Sequence, residues 1–205
     1  DVIANLVEGS EAVGAYKTGV AKWKDMLTRI PRYRYTEEGT VRGYLDSRCA
    51  DSFASAAPTM FYPVYPATEI DRFDPEPFKA FAATARKKYA AAQDDQSALT
   101  LGQYAALFAR LNDGEAALDV ITEMVRAMMM NNLVTAASDW RGMGIGAHTL
   151  WANYTIEGNL AITNAMQEML LHSSRDSISL LPALPAAFEK GAVSGLLTRV
   201  GAEVD

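Results

Sequence analysis

The sequence predicts a mainly α chain in which helix hairpins wrap into a helical barrel or toroid, followed by β-structure. Three observations predict it. Apolar residues recur at spacings of three and four in successive stretches between residues 10 and 171, the signature of helices packed on a core. Those stretches are joined alternately by a short turn around Asp113 and by long loops at 32–66 and 131–153, as when paired helices turn tightly at one rim and carry loops at the other. After about residue 178 the character changes. Residues 178–185 are extended and punctuated by Pro182 and Pro185, and residues 193–200 read as a strand after the Lys190-Gly191 turn.

The first helix is expected over residues 10–29. Val13, Tyr16, Val20, Trp23 and Leu27 step along one face, Ser10 caps it and Pro31 stops it. Gly14 and Gly19 weaken it, so packing has to hold it. The 32–66 segment holds Tyr33, Tyr35, Tyr44, Phe53, Phe61, Tyr62 and Tyr65 among glycine and proline breakers. A connection this long is more often a binding or lid loop than a spacer. Its aromatics either pack the loop down or offer a surface on which a sugar ring stacks. Asp74-Pro75-Glu76 opens a second helix, with Phe78, Phe81, Ala82, Ala85 and Tyr89 inward and Lys87-Lys88 facing water. Thr100 and Gln103 form a capping box for a third, striped by Leu101, Tyr104, Ala105, Phe108 and Leu111. After the turn at Asn112-Asp113-Gly114, a fourth turns Ala117, Leu118, Ile121, Met124, Val125 and Met128 to the core. The run Met128-Met129-Met130 points three ways on a helix and reads as core filling.

The 131–153 loop carries Asp139, Trp140, Arg141, His148 and Trp151 with Gly142, Gly144 and Gly146. No strand precedes those glycines and no helix begins at the third, so they are not a dinucleotide fingerprint. Beyond the loop, Tyr154-Thr155-Ile156-Glu157-Gly158-Asn159 opens a helix striped by Ile162, Ala165, Met166, Met169 and Leu170. Asn159 is placed to cap its first turn, and a carboxylate suits a helix N-terminus. On spacing alone this is a capped helix end. The alternative is an acid set at the mouth of a helical barrel.

Composition narrows the function classes. The 205 residues carry 19 basic and 25 acidic side chains, a net charge of −6, which argues against a nucleic-acid footprint. No run approaches the roughly 18 apolar residues of a spanning helix, so no membrane partner is expected. The single cysteine, Cys49, excludes an internal disulfide framework, and two histidines, His148 and His172, are too few for a metal site. No metal and no cofactor are expected. The chain begins at Asp1 without an initiator methionine and stops within what reads as a β-hairpin, so a longer protein is expected around it. Half a barrel leaves apolar faces that need covering, by the missing N-terminal part or by a second copy.

Specific motifs join these observations. Glu157-Gly158-Asn159, then Glu168-Met169-Leu170-Leu171, then Leu180-Leu181-Pro182-Ala183-Leu184-Pro185 resemble the patterns I-D-G-N-F-G, A-E-M-L-L-Q-S and I-H-L-L-P-A-L-P of glycoside hydrolase family 95. That family comprises inverting α-L-fucosidases and related α-L-galactosidases. Residues 191–205 resemble its G-x-V-x-G-L-x-x-R-G-G-F-E-V-D, and Phe108-Ala109-Arg110-Leu111-Asn112-Asp113-Gly114 its W-A-R-L-x-D-G. Tyr65-Pro66 is similar to its L-Y-P-G, and residues 27–35 to its L-P-P-Y-Q-I. The resemblance spans nearly the whole chain in order.

It implies the second half of an α/α six-hairpin barrel (residues 1–175) followed by the start of a C-terminal β-domain (176–205). It implies hydrolysis of a terminal sugar from a glycan, and a secreted or periplasmic location. The family's catalytic Asp corresponds to Glu157, with Asn159 beside it. Its general-acid Glu, in L-Q-E-W, falls on Gly43, leaving Asp46 or Glu38 to stand in. The family's H-R-H becomes Ser55-Ala56-Ala57, and its two barrel tryptophans fall near Leu99 and Gln103. Trp151, Tyr154, Tyr44, His148 and Trp140 are the expected sugar contacts. The other reading is a catalytically degenerate relative that binds glycans or supports a larger protein.

Overall fold

The computed structural model describes residues 2–147, 153–174 and 176–205. Six α-helices lie among these residues: α1 (Val2–Val13), α2 (Lys17–Arg29), α3 (Pro75–Ala91), α4 (Ala98–Arg110), α5 (Gly114–Met128) and α6 (Ile156–Leu170). Two short antiparallel hairpins follow, β1 (Leu171–Ser173) with β2 (Ile178–Leu180), and β3 (Leu196–Leu197) with β4 (Glu203–Val204). The fold is mainly helical, as the periodicity predicts.

The single helix expected over residues 10–29 is instead a hairpin. Gly14 (φ 67°) and Tyr16 (φ 54°) both take left-handed backbone, which ends α1 and turns the chain back on itself. Ser10 is therefore buried within α1 rather than a cap. The two helices pack on each other, and Lys24 reaches Glu11 at 2.6 Å. No residue of α2 is fully buried, and Tyr16 and Ile30 are exposed.

The core is built around α4. Ten of its thirteen residues are buried, on every side of the helix, and a helix apolar all round is one surrounded by others. It packs against α3, α5 and α6. Phe61, Phe81, Tyr89, Tyr104 and Phe108 meet there edge-to-face or tilted, with centroids 5.0–6.4 Å apart. The capping box that starts α4 is Ser97 with Thr100, three residues earlier than Thr100 with Gln103. Asp113 caps α5 by accepting from the Ala116 amide at 3.3 Å. Val125 and Met166, expected inward, are partly exposed.

Gly102 sets the approach of α6 to α4. A Cβ built there would lie 2.2 Å from Ala161 Cβ, well inside contact distance. Gly102→Ala is expected to force the helices apart and cost about 1–3 kcal/mol, as overpacking does. Adding Ala161→Gly should restore most of the loss in chemical denaturation.

The 32–66 segment is a strap over α3. Tyr33 donates to Glu69 at 2.6 Å and meets Phe81 edge-on, and the Val41 amide donates to Thr84 Oγ1. Lys88 lies under this strap, only 5% exposed, and donates to the Ser55 carbonyl. That corrects its expected place in water. Burial holds its ammonium below the usual lysine range, and Asp95 works against this. Of the strap's aromatics, Phe61 is core, whereas Tyr35, Tyr44 and Tyr62 are exposed. Past β2 the chain returns to the helices: the Ala183 amide donates to Met169, and Ala183 sits in the helical core against Gly114.

Candidate active site

Glu157 stands exposed in the first turn of α6, beside Thr155, which takes the N-cap place in extended backbone (φ −140°). Thr135, fully buried, holds that turn from the preceding loop. Its carbonyl accepts from the Thr155 amide at 2.8 Å and its hydroxyl donates to the Thr155 carbonyl at 2.6 Å. Its amide donates to Asn159 Oδ1 at 3.0 Å, while Asn159 Nδ2 donates to the Leu133 carbonyl at 2.6 Å. Asn159 thus lies inside the first turn and ties α6 sideways to residues 133–135, instead of capping it. A Cβ at Gly158 would meet Thr135 Oγ1 at 2.4 Å and Met124 Cε at 2.7 Å. The glycine makes room for this support.

The Thr155 hydroxyl donates to Glu157 Oε2. That bond, followed by the turn's own backbone amide, holds the Glu157 carboxyl below the usual glutamate range. An ionised carboxylate open to solvent can take a proton from water; it is poorly placed to give one.

Tyr154 adjoins this turn, 75% exposed and bridged to Ala136. Trp140 is half-buried; its Nε1 donates to the Met128 carbonyl at 3.2 Å, and the Arg141 guanidinium lies 4.9 Å from its ring centroid. The loop they share folds around the buried Asp139 carboxylate, which accepts from the Arg141, Gly144 and Ile145 amides. His148 and Trp151 lie outside the described residues.

Glu38, Asp46 and Tyr44 occupy the strap. Asp46 is paired with Arg48 at 2.6 Å and Glu38 with Lys87 at 2.7 Å. In both, the partner's hydrogen bond holds the carboxyl below its usual range. Tyr44 is half-exposed. Next to it, the Gly43 amide donates to Asp51 Oδ1 at 2.7 Å, and Asp51 faces Arg42 at 3.5 Å. The bonds that orient Glu157 and those that orient Glu38 and Asp46 form separate sets. Among the described residues, no group of three His, Cys, Asp or Glu side chains could hold a metal.

At the other end of α6 lies a second polar cluster. Arg110 grips Glu168 with two hydrogen bonds, 2.5 and 3.0 Å, and His172 Nδ1 approaches the same carboxylate at 3.3 Å. The guanidinium sits 5.7 Å from the Tyr65 ring centroid, and Asn164 donates to the Tyr65 hydroxyl.

Residues 1–170 match the model of the glycosyl hydrolase family 95 catalytic domain. Residues 172–205 match that of the family's C-terminal domain. Consecutive matches over almost every residue define a glycoside hydrolase scaffold. The chain belongs to glycoside hydrolase family 95. It is 26% identical over 210 residues to Alpha-L-fucosidase 2 of Arabidopsis thaliana, a match covering 100% of this chain and 24% of that protein. The chain therefore spans about a quarter of the length of this curated relative.

Proposed function

We propose that this chain is part of an inverting glycoside hydrolase of the α-L-fucosidase type, which removes a terminal sugar from a glycan, with Glu157 on the water side. The observation that carries the reading is the place of Glu157. The family's catalytic-domain match covers it, and it is an exposed carboxylate held in its ionised form. In such a reaction water attacks the anomeric carbon from the face opposite the leaving oxygen. The base carboxylate takes the water's proton while an acid, about 6.5–9.5 Å away, protonates that oxygen. Asp46 and Glu38 are the candidates for the acid, each only after leaving its cationic partner. In this proposal the helices are the second half of a toroid closed by the missing N-terminal part or a second copy. Residues 176–205 begin a β-domain, and the protein works outside the cytoplasm.

A specific observation favours the second reading, a degenerate glycan-binding relative. The strap position expected to bear the acid is Gly43, and the carboxylates near it are committed to Arg48, Lys87 and Arg42. Leaving-group dependence separates the two. The full-length protein is to be assayed on α-L-fucosides bearing alkyl, sugar and activated aryl leaving groups. Turnover of all three supports the hydrolase with a working acid. Turnover of activated aryl glycosides alone shows a base without an acid. Glycan binding with no turnover supports the degenerate reading.

A further inference from the structure

Thr155 occupies the N-cap place of α6 but makes no side-chain capping bond. A threonine there ordinarily accepts from an amide of the first turn. Here its hydroxyl proton goes to Glu157 Oε2 instead. The residue has little freedom to do otherwise. Its backbone is held at both ends by Thr135, through amide-to-carbonyl and hydroxyl-to-carbonyl bonds of 2.8 and 2.6 Å. Thr135 is itself fully buried against Gly158. A β-branched side chain on a fixed backbone has few rotamers, so the hydroxyl is aimed by the fold.

We propose that Thr155, anchored by Thr135, is the positioning residue that orients the Glu157 carboxylate for the water-side step; the inference rests on the hydrolase reading above. One carboxylate oxygen is fixed by the hydroxyl, and the plane of the group, hence the direction in which the other oxygen faces, follows from it. The residues packed about the turn (Thr135, Asn159 and Met124) are uncharged. Tyr154 is the titratable residue of the adjoining chain. Among the described residues no charged side chain acts on the carboxyl; the Thr155 hydroxyl is the largest influence on it.

The test is the pH dependence of kcat/KM in the full-length protein for wild type, Thr155→Val, Thr155→Ser and Thr135→Val. Losing the hydroxyl should move the acidic limb of the profile to higher pH. It should lower kcat by up to about a hundredfold, the penalty of a roughly 1 Å misplacement, with KM and Tm little changed. Thr155→Ser should restore both limb and rate, which a purely packing role would not predict. Thr135→Val should move the limb the same way with a lower Tm. An active wild type whose limb stays in place in Thr155→Val overturns this inference and leaves the hydrolase reading standing. So does a serine variant as damaged as the valine. A wild type inactive on every leaving group overturns both.

Discussion

Glu157→Gln in the full-length protein is expected to lower kcat by about 10²–10⁴-fold, the usual contribution of a positioned general base. KM should stay near its wild-type value. An amide of the same shape keeps the contacts a bound sugar makes but cannot accept the attacking water's proton. Its loss is then felt in the transition state and not in ground-state binding. Stability should hardly change, because Glu157 is exposed and its side-chain partner is one hydroxyl. Turnover across pH gives a second check. The proposed base acts while ionised, so the wild-type rate should fall as pH drops through the lowered Glu157 value, a limb the glutamine variant should lack. A variant as active as wild type would reduce Glu157 to a helix-end carboxylate.

What could be read in the sequence and what could not divide along a physical line. The stripe Leu101, Tyr104, Ala105, Phe108, Leu111 was legible because helical spacing records burial locally, and all five are buried. Glu157 was legible as the start of a helix for the same reason, and Asn112-Asp113-Gly114 as the turn before another, although which of its residues caps α5 was not. The hairpin at Gly14–Tyr16 was not. Apolar steps continue in register across it, and a glycine at position 14 is compatible with a weak helix as well as with a left-handed turn. Lys88 was misread because its partner, the Ser55 carbonyl of the strap, arrives from outside its own helix. Thr135 carries no local signal at all. It sits 20 to 24 residues from Thr155 and Asn159, inside a loop, and only the folded chain brings its amide and hydroxyl to them. The strap's Tyr44 and Tyr35 remain exposed while Phe61 enters the core, a division composition cannot make.

Breaking the Arg110–Glu168 pair is expected to have the largest effect on stability. The Arg110 side chain is 4% exposed and that of Glu168 14%, so removing either leaves the other's charge buried without its partner. Such losses cost about 3–5 kcal/mol. Glu168→Gln should approach that figure in chemical denaturation. The double replacement Arg110→Met with Glu168→Leu should recover much of it, because no charge is then stranded. The pair also predicts a pH dependence of definite sign. Burial pushes the Glu168 carboxyl up, but hydrogen bonds from His172 and Arg110, with their charges, outweigh it and leave the group below the glutamate reference of 4.5. A carboxyl lower in the folded than in the unfolded chain binds fewer protons when folded. Its stabilisation is therefore fully present above about pH 4.5 and is lost as pH falls through the lowered folded value. The stability gap between wild type and Glu168→Gln should narrow as pH falls below about 4.5. A gap that widened or kept its size below that pH would mean that Glu168 is not held as an anion by Arg110 in the folded protein.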